Sequence, residues 1–244
     1  MTGTWTKTYP TATQAEAAAA HYYWIRDVGQ LQTPDLVRRD DHKLVFAHVS
    51  GRHAAPADLP NLAAALARFH TAAYQHLAGA RMNQPHRAAR GLILPGFSDC
   101  REQRLFDLLA APTPPNTPLT GDDVRAWIRY ADDLPPAVYK DANIRNFLIT
   151  GEHAPIAVDF DTLTLAPLGY DLAKLIVSAA MTYGPLDHGL VDDALTRYNA
   201  LLADAALPGC TTAQFSVWTE MHHVLTSHYL GRNGYRFSWA ITRR

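Results

Sequence analysis

The chain is short of several things, and each shortage removes a class of protein. Its two cysteines, Cys100 and Cys210, have no CxxC partner, so neither a disulfide framework nor a cysteine metal site is expected and both read as free thiols. No run approaches twenty apolar residues and no signal-peptide pattern opens the sequence. A membrane partner is therefore not expected, and the protein reads as cytoplasmic. Neither sign of charge dominates: 22 Lys and Arg face 23 Asp and Glu, with no basic run, which argues against nucleic acid as a partner. No internal repeat is present. Gly231-Arg232-Asn233-Gly234 lacks the Lys-Ser/Thr that completes a phosphate loop and reads as a turn after a helix. His222, His223 and His228 fall at i,i+1 and i,i+5 spacings, which do not put ligands on one helix face, so a metal is not expected there.

What is present is an ordinary globular composition, 48% hydrophobic and 18% charged, around one informative stretch. Asp141 is followed by Asn146, and Asp159 ends the apolar run of PIAVDFD. With nineteen aspartates in 244 residues, an Asp-x4-Asn pair alone is weak evidence. Its context strengthens it. Phe147-Leu148-Ile149, a turn at 150–153 and Ile156-Ala157-Val158 read as a short hairpin that delivers Asp159. Phosphoryl transfer from ATP needs a carboxylate on the acceptor hydroxyl's proton, and an amide oxygen with a second carboxylate to hold magnesium. These segments supply that set in order.

The N-terminal part alternates large and polar residues over Trp5 to Tyr9, as a half-buried strand does. Thr13-Gln14-Ala15-Glu16 has the form of a capping box opening a helix that runs to Ile25. Short strands at Leu36-Val37 and Leu44-Val45-Phe46 follow, then a linker at His48 to Gly51. Beyond it the chain reads as helical. One helix begins at Asp58 with the stripe Leu59, Leu62, Leu66, Phe69 and Ala73, beside which His70 reads as packed. Residues 79–98 read as a loop, 101–110 as a helix, and Thr120 caps another. Three helices follow Asp171, and the whole is α+β.

The blocks YKDANIRN, VDFD and YDLA resemble, in order and spacing, those of the aminoglycoside phosphotransferase and choline kinase-like small-molecule kinases. The resemblance covers most of the chain. It implies a protein kinase-like fold of two lobes, residues 1–49 forming a reduced nucleotide lobe and hinge and 50–244 a helical lobe with the catalytic loop and substrate site. It implies ATP and Mg2+ as cofactors and a small-molecule hydroxyl as acceptor. Asp141 would be the catalytic base, and Asn146 and Asp159 the metal ligands. Asp161 would meet a second metal or a cationic substrate, or be a surface carboxylate. Lys7 would contact the α- and β-phosphates, Phe46 would back the adenine, and the backbone of Ala47, His48 and Val49 would bond the base. Glu16 would pair with Lys7, or serve only as the third residue of its capping box.

The sequence departs from the family pattern in two places. Only six residues precede Lys7, too few for the glycine-rich hairpin that covers the phosphates. An upstream start, a covering segment, a homodimer or another partner would supply it; otherwise the chain is a pseudokinase-like binding module without turnover. Tyr139 and Lys140 replace the usual His-Gly before the loop aspartate. A Tyr hydroxyl suits the bracing role of the His, and Lys140 reads as solvent-directed, because adjacent side chains on an extended loop point apart. Arg145 would meet phosphate or a substrate anion, or lie on the surface. Asp171 would cap its helix or brace the catalytic loop. The late-helix acids Asp187, Asp192, Asp193, Asp204 and Glu220 make no strong trap for a polycation, so the acceptor is read as a hydroxylated small molecule such as an antibiotic or another metabolite.

Overall fold

The alternating residues near the start form a strand, β1 (Thr4–Thr8), but not the half-buried one expected: Trp5 is 52% exposed and only Lys7 is partly covered. Strand β1 pairs antiparallel with β3 (Lys43–Ala47), which also pairs with β2 (Leu36–Asp40). The order β1-β3-β2 puts β1 at an edge and β3, whose Leu44, Val45 and Phe46 are buried, in the middle. The computed structural model describes residues 3–151 and 153–242, with the Cys100 side chain outside the described part. Helix α1 (Ala12–Asp27) packs on β3 and buries Tyr22, Trp24 and Ile25. Its cap is Thr11, whose hydroxyl accepts from Gln14 N at 3.2 Å. The capping box expected at Thr13 and Glu16 is therefore displaced by two residues, since the chain is already helical at Ala12.

Strand β4 (Arg52–His53) leads to α2 (Leu59–Tyr74), and the expected stripe of α2 is buried together with His70. Residues 79–98, read as a loop, hold a two-residue ladder between β5 (His86–Arg87) and β6 (Ile93–Leu94), and the first turn of α3 (Phe97–Leu109). Helix α4 (Gly121–Asp132) is capped by Thr120 and Asp123 as a reciprocal box. Strand β7 (Pro136–Tyr139) enters the catalytic loop. After it, β8 (Phe147–Ile149) pairs with β9 (Pro155–Ala157) on one side and β4 on the other. Strand β10 (Thr164–Pro167) returns to pair with β7, Thr164 opposite Tyr139.

Helix α5 (Tyr170–Tyr183) is buried from Tyr170 to Met181 on every side, more than a single apolar stripe would require, because α7 (Thr212–Thr226) and α2 pack on it together. Helix α6 (His188–Asp204) lies on α2, and a short α8 (Trp239–Thr242) closes the described chain. Burying a Leu, Val, Ile or Phe contributes roughly 1.5–3 kcal/mol, so this central helix is a firm base for whatever is attached to it.

The start of α5 shows how tightly it is held. Gly169 takes φ 84°, its amide donates to the Tyr198 hydroxyl at 3.0 Å, and a Cβ there would collide with the buried Cys210 Sγ. Gly169→Ala is expected to cost on the order of 2–4 kcal/mol through backbone strain and overpacking together. Urea unfolding checks this, and an unchanged midpoint would contradict the packing described.

Candidate active site

The catalytic-loop residues are held by backbone bonds that reach across the fold. Asp171, 1% exposed, accepts the amides of Lys140 (3.1 Å) and Ala142 (2.8 Å), so it braces the loop. Ser178, two turns further along α5, accepts the Ile144 amide at 2.8 Å. Between these anchors Asp141 adopts φ 61°, in the left-handed region that costs a non-glycine residue on the order of 1–3 kcal/mol. Asp159 does the same with φ 72°. Both strained residues are aspartates singled out by the motif.

Asn146 ties the two together. Its Nδ2 donates to the Asp141 carbonyl at 3.2 Å, and its own carbonyl accepts the Val158 amide at 2.8 Å, one residue before Asp159. Among the described residues no donor bonds the Asn146 side-chain oxygen. The Asp141 carboxylate accepts the Tyr139 hydroxyl at 2.8 Å, the bracing expected of that Tyr, and lies 3.4 Å from Lys174 Nζ. Burial works to lower the Lys174 ammonium, but Asp141 and Tyr235 outweigh it and the net shift is upward. Lys174 stays charged beside the carboxylate. Sequence reading missed it, although a position three residues after Asp171 on one helix face was the signal available.

Lys7 reaches across to the same region. Its ammonium donates to Asp159 Oδ1 at 2.7 Å and Asp161 Oδ2 at 2.6 Å. Burial opposes the charge, these bonds more than offset it, and the Lys7 pKa rises, while the Lys7 contact holds Asp159 low against burial. Tyr9 adds a hydroxyl donated to Asp161 at 3.0 Å, and His21 of α1 donates to the Phe160 carbonyl at 2.9 Å. Neither residue carried a sequence signal. The expected Lys7–Glu16 pair is not formed. Glu16 is exposed and sits 3.5 Å from Arg39 instead, because the cap at Thr11 turns it toward β2.

Lys7, Phe46, Ala47, His48, Val49 and Asp159 line one cavity of about 540 Å³, of the size that takes a small-molecule ligand. Phe46 packs on Tyr22 and Phe160, with centroids 5.5 and 5.8 Å away, and so joins the cavity to α1 and the Asp159 loop. One detail differs from expectation. The Ala47 and His48 amides are spent on the carbonyls of Asp35 (2.8 Å) and Gly3 (2.9 Å), so they cannot also bond a base. Among the described residues, Val49 N has no such acceptor.

No cluster of three His, Cys, Asp or Glu side chains able to hold a metal occurs among the described residues. His222 and His223 are buried and donate to the carbonyls of Tyr170 and Asn116. The oxygens of Asn146, Asp159 and Asp161 nevertheless fit magnesium, which uses one or two carboxylates and completes its shell with phosphates and water. Asp159 and Asp161 already share a cation, the Lys7 ammonium.

A lysine and an aspartate at one end of a strand-lined cavity, beside a braced Asp-Asn loop, define a protein kinase-like α+β phosphotransferase fold. Residues 7–208 match the phosphotransferase enzyme family (APH), and the chain belongs to this family. Solved structures agree on the fold. The choline kinase LicA from Streptococcus pneumoniae is 11% identical with a TM-score of 0.61, over 93% of this chain and 76% of that one. The macrolide 2'-phosphotransferase MphH from Brachybacterium faecium is 14% identical with a TM-score of 0.57, over 100% and 85%. An aminoglycoside phosphotransferase from Streptomyces rimosus, in complex with ADP and streptomycin, is 14% identical with a TM-score of 0.53, over 91% and 86%. No curated protein matches the chain in sequence.

Lys140 overturns its reading as solvent-directed. It is 1% exposed, its ammonium lies 4.8 Å from the centre of the Phe147 ring, and no side chain or backbone group among the described residues hydrogen-bonds it. The two Asp171 bonds fix the backbone so that the side chain points inward. Burial pushes its pKa down, with Asp171, Asp141 and Asp159 opposing. The unfolded chain then binds more protons between the lowered folded value and the ordinary one near 10.5, and stability rises with pH across that interval. Lys140→Met is expected to gain about 1–3 kcal/mol at neutral pH and to lose that rise. Urea midpoints at pH 7 and 9.5 check both; parallel profiles for the two proteins would contradict them.

Proposed function

We propose that the protein transfers the γ-phosphoryl group of ATP to a hydroxyl of a small molecule. The observation that carries this reading is the convergence of Lys7, Asp159 and the Phe46–Val49 segment on one cavity, with Asn146 bonding Asp141 on one side and Val158 on the other. Residues 1–49 serve as nucleotide lobe and hinge, 50–244 as the catalytic and acceptor lobe. Adenine lies against Phe46 and takes its amide hydrogen bond from Val49, and the Ala47 and His48 side of the cavity supplies walls. Lys7 leaves Asp161 and steadies the phosphates, since its charge is held firmly and its stem already lines the cavity.

Asn146 and Asp159, with Asp161 nearby, would hold magnesium, which would supply neutralisation of the phosphate charge. Asp141 orients the acceptor hydroxyl and takes its proton. Tyr139 and Lys174 fix the carboxylate's rotamer, and Asp171 with Ser178 fixes its backbone. No helix among the described residues is long and apolar enough to cross a membrane; a cytoplasmic reaction, where ATP is supplied, is part of this reading. A covering partner or homodimer at the exposed edge of β1 would shield the phosphates.

Asp141→Asn is expected to lower kcat by at least about 10²-fold while Mg-ATP binding persists. Asp159→Ala should remove the magnesium dependence of ATP binding. Calorimetric titration and ADP release measure the two. Wild-type turnover in Asp141→Asn would remove the assigned base, and ATP bound but never consumed by the wild type would favour a binding module.

A further inference from the structure

A turn after the last long helix, beyond the segment shared with the family, reaches back to the catalytic loop. Gly231 N donates to the Tyr235 carbonyl at 2.8 Å and Tyr235 N to the Arg232 carbonyl at 2.9 Å, which closes the turn. Arg236 N and Phe237 N then donate to the Met181 carbonyl at 2.7 and 3.0 Å, fastening the turn to the last part of α5. Asp171, Lys174, Ser178 and Met181 follow the i, i+3, i+7, i+10 spacing of one helix face. The face that braces the catalytic loop through Asp171 and Ser178 therefore also holds the turn.

What the turn delivers is Tyr235. The residue is buried, and its hydroxyl accepts from Asn143 Nδ2 at 2.9 Å and from Lys174 Nζ at 3.4 Å. Each donor leads to Asp141 by a second contact. Lys174 Nζ also lies 3.4 Å from Asp141 Oδ1, so one ammonium is shared between the carboxylate and the phenol. Asn143 N donates to the Asp141 carbonyl at 2.6 Å, and Asn143 Oδ1 accepts Arg145 N at 3.1 Å. The ring has its own neighbour, since the Arg145 guanidinium lies 5.4 Å from its centre and beside Gly234. Loss of the hydroxyl alone would leave a buried amide and a buried ammonium each short of a partner, which is costly.

We infer that Tyr235 is a positioning residue for Asp141, acting through Lys174 on its carboxylate and through Asn143 on its backbone. The turn after the last long helix thereby belongs to the machinery of the proposed phosphoryl transfer; the inference rests on that kinase reading and adds a residue to it. A left-handed aspartate persists only where its surroundings over-determine it. Helix α5 holds the amides of Lys140, Ala142 and Ile144, but among the described residues none of its side chains bonds Asn143. Tyr235 supplies that remaining hold.

Tyr235→Phe tests this, because it removes the hydroxyl and keeps the ring under Arg145. ADP release from Mg-ATP with water as acceptor is compared in the wild type, Y235F, K174M and the double variant. Deuterium uptake of residues 139–149 is followed in the same proteins. Y235F is expected to lower kcat by about tenfold to a hundredfold with KM for ATP unchanged. The loss in the double variant should be smaller than the product of the two single losses, as a shared path requires. Wild-type kcat in Y235F, a fall carried by KM for ATP, or losses that multiply would each overturn the inference. Where turnover is too slow to compare, uptake decides. Faster exchange at 139–149 in Y235F, with α2 unchanged, supports the positioning role; faster exchange confined to the turn marks a purely structural tyrosine and overturns it, as does unchanged exchange throughout. Should Y235F not fold, N143S replaces it with the same expectations, since Ser keeps an oxygen for Arg145 N and loses the donor to Tyr235. Mg-ATP is titrated in parallel, and its failure to bind counts against the kinase reading alone.

Discussion

The Asp171 carboxylate bonds two amides of the catalytic loop from within the first turn of a helix buried on every side, and the site is built on that attachment. Hydrogen bonds to a charged group contribute roughly 1.5–3 kcal/mol each, enough to offset the left-handed conformation of Asp141. Without it the loop has no reason to hold the aspartate at φ 61°, to turn Lys140 inward, or to present Asn146 between Asp141 and Val158. His70 lies behind the same carboxylate without hydrogen-bonding it. Its Nε2 is 3.9 Å away, and its Nδ1 meets the Tyr198 hydroxyl, which also receives the Gly169 amide at the start of α5. Helices α2, α5 and α6 thus converge on one buried carboxylate.

Around this anchor the charges alternate. Lys174 faces Asp141, Lys7 faces Asp159 and Asp161, and Arg101 lies against the rings of Phe97, Tyr139 and Tyr170 at 4.7, 4.8 and 4.8 Å. Arg101 thereby holds the ring whose hydroxyl holds Asp141, so the base is positioned through an aromatic intermediary as well as directly. Such a network orients groups more than it stabilises the fold, because burying charges costs several kcal/mol per ion even when they are paired. Lys140 is the exception. It faces Phe147 and has no hydrogen-bond partner among the described residues, and the backbone bonds on either side of it force the arrangement.

Much of the fold was legible from local signals. The strand β1, the stripe of α2, the Thr120 cap and the hairpin delivering Asp159 all appear where nearest-neighbour chemistry puts them, although β1 lies at an edge and is exposed where its alternation pointed to half-burial. Errors arose where two local solutions competed or where burial decided. Thr11 and Thr13 can each cap a helix, and the two-residue difference moved Glu16 from Lys7 to Arg39. The ladder at His86 and Ile93 is two residues long, too short for periodicity to reveal.

The order and spacing of Asp141, Asn146, Asp159 and Asp171 were determined by the sequence alone, because these residues sit on one continuous loop-hairpin-helix segment whose geometry is set by short-range bonding. The meeting of that segment with Lys7, Tyr9 and His21 was decided by tertiary structure, as were the inward turn of Lys140, the pairing of Lys174 with Asp141, and the contact of Arg104 with His228. Those contacts join positions far apart in the chain, and which way each charge points depends on the burial and hydrogen-bond demands of helices that periodicity can place in order but not in space.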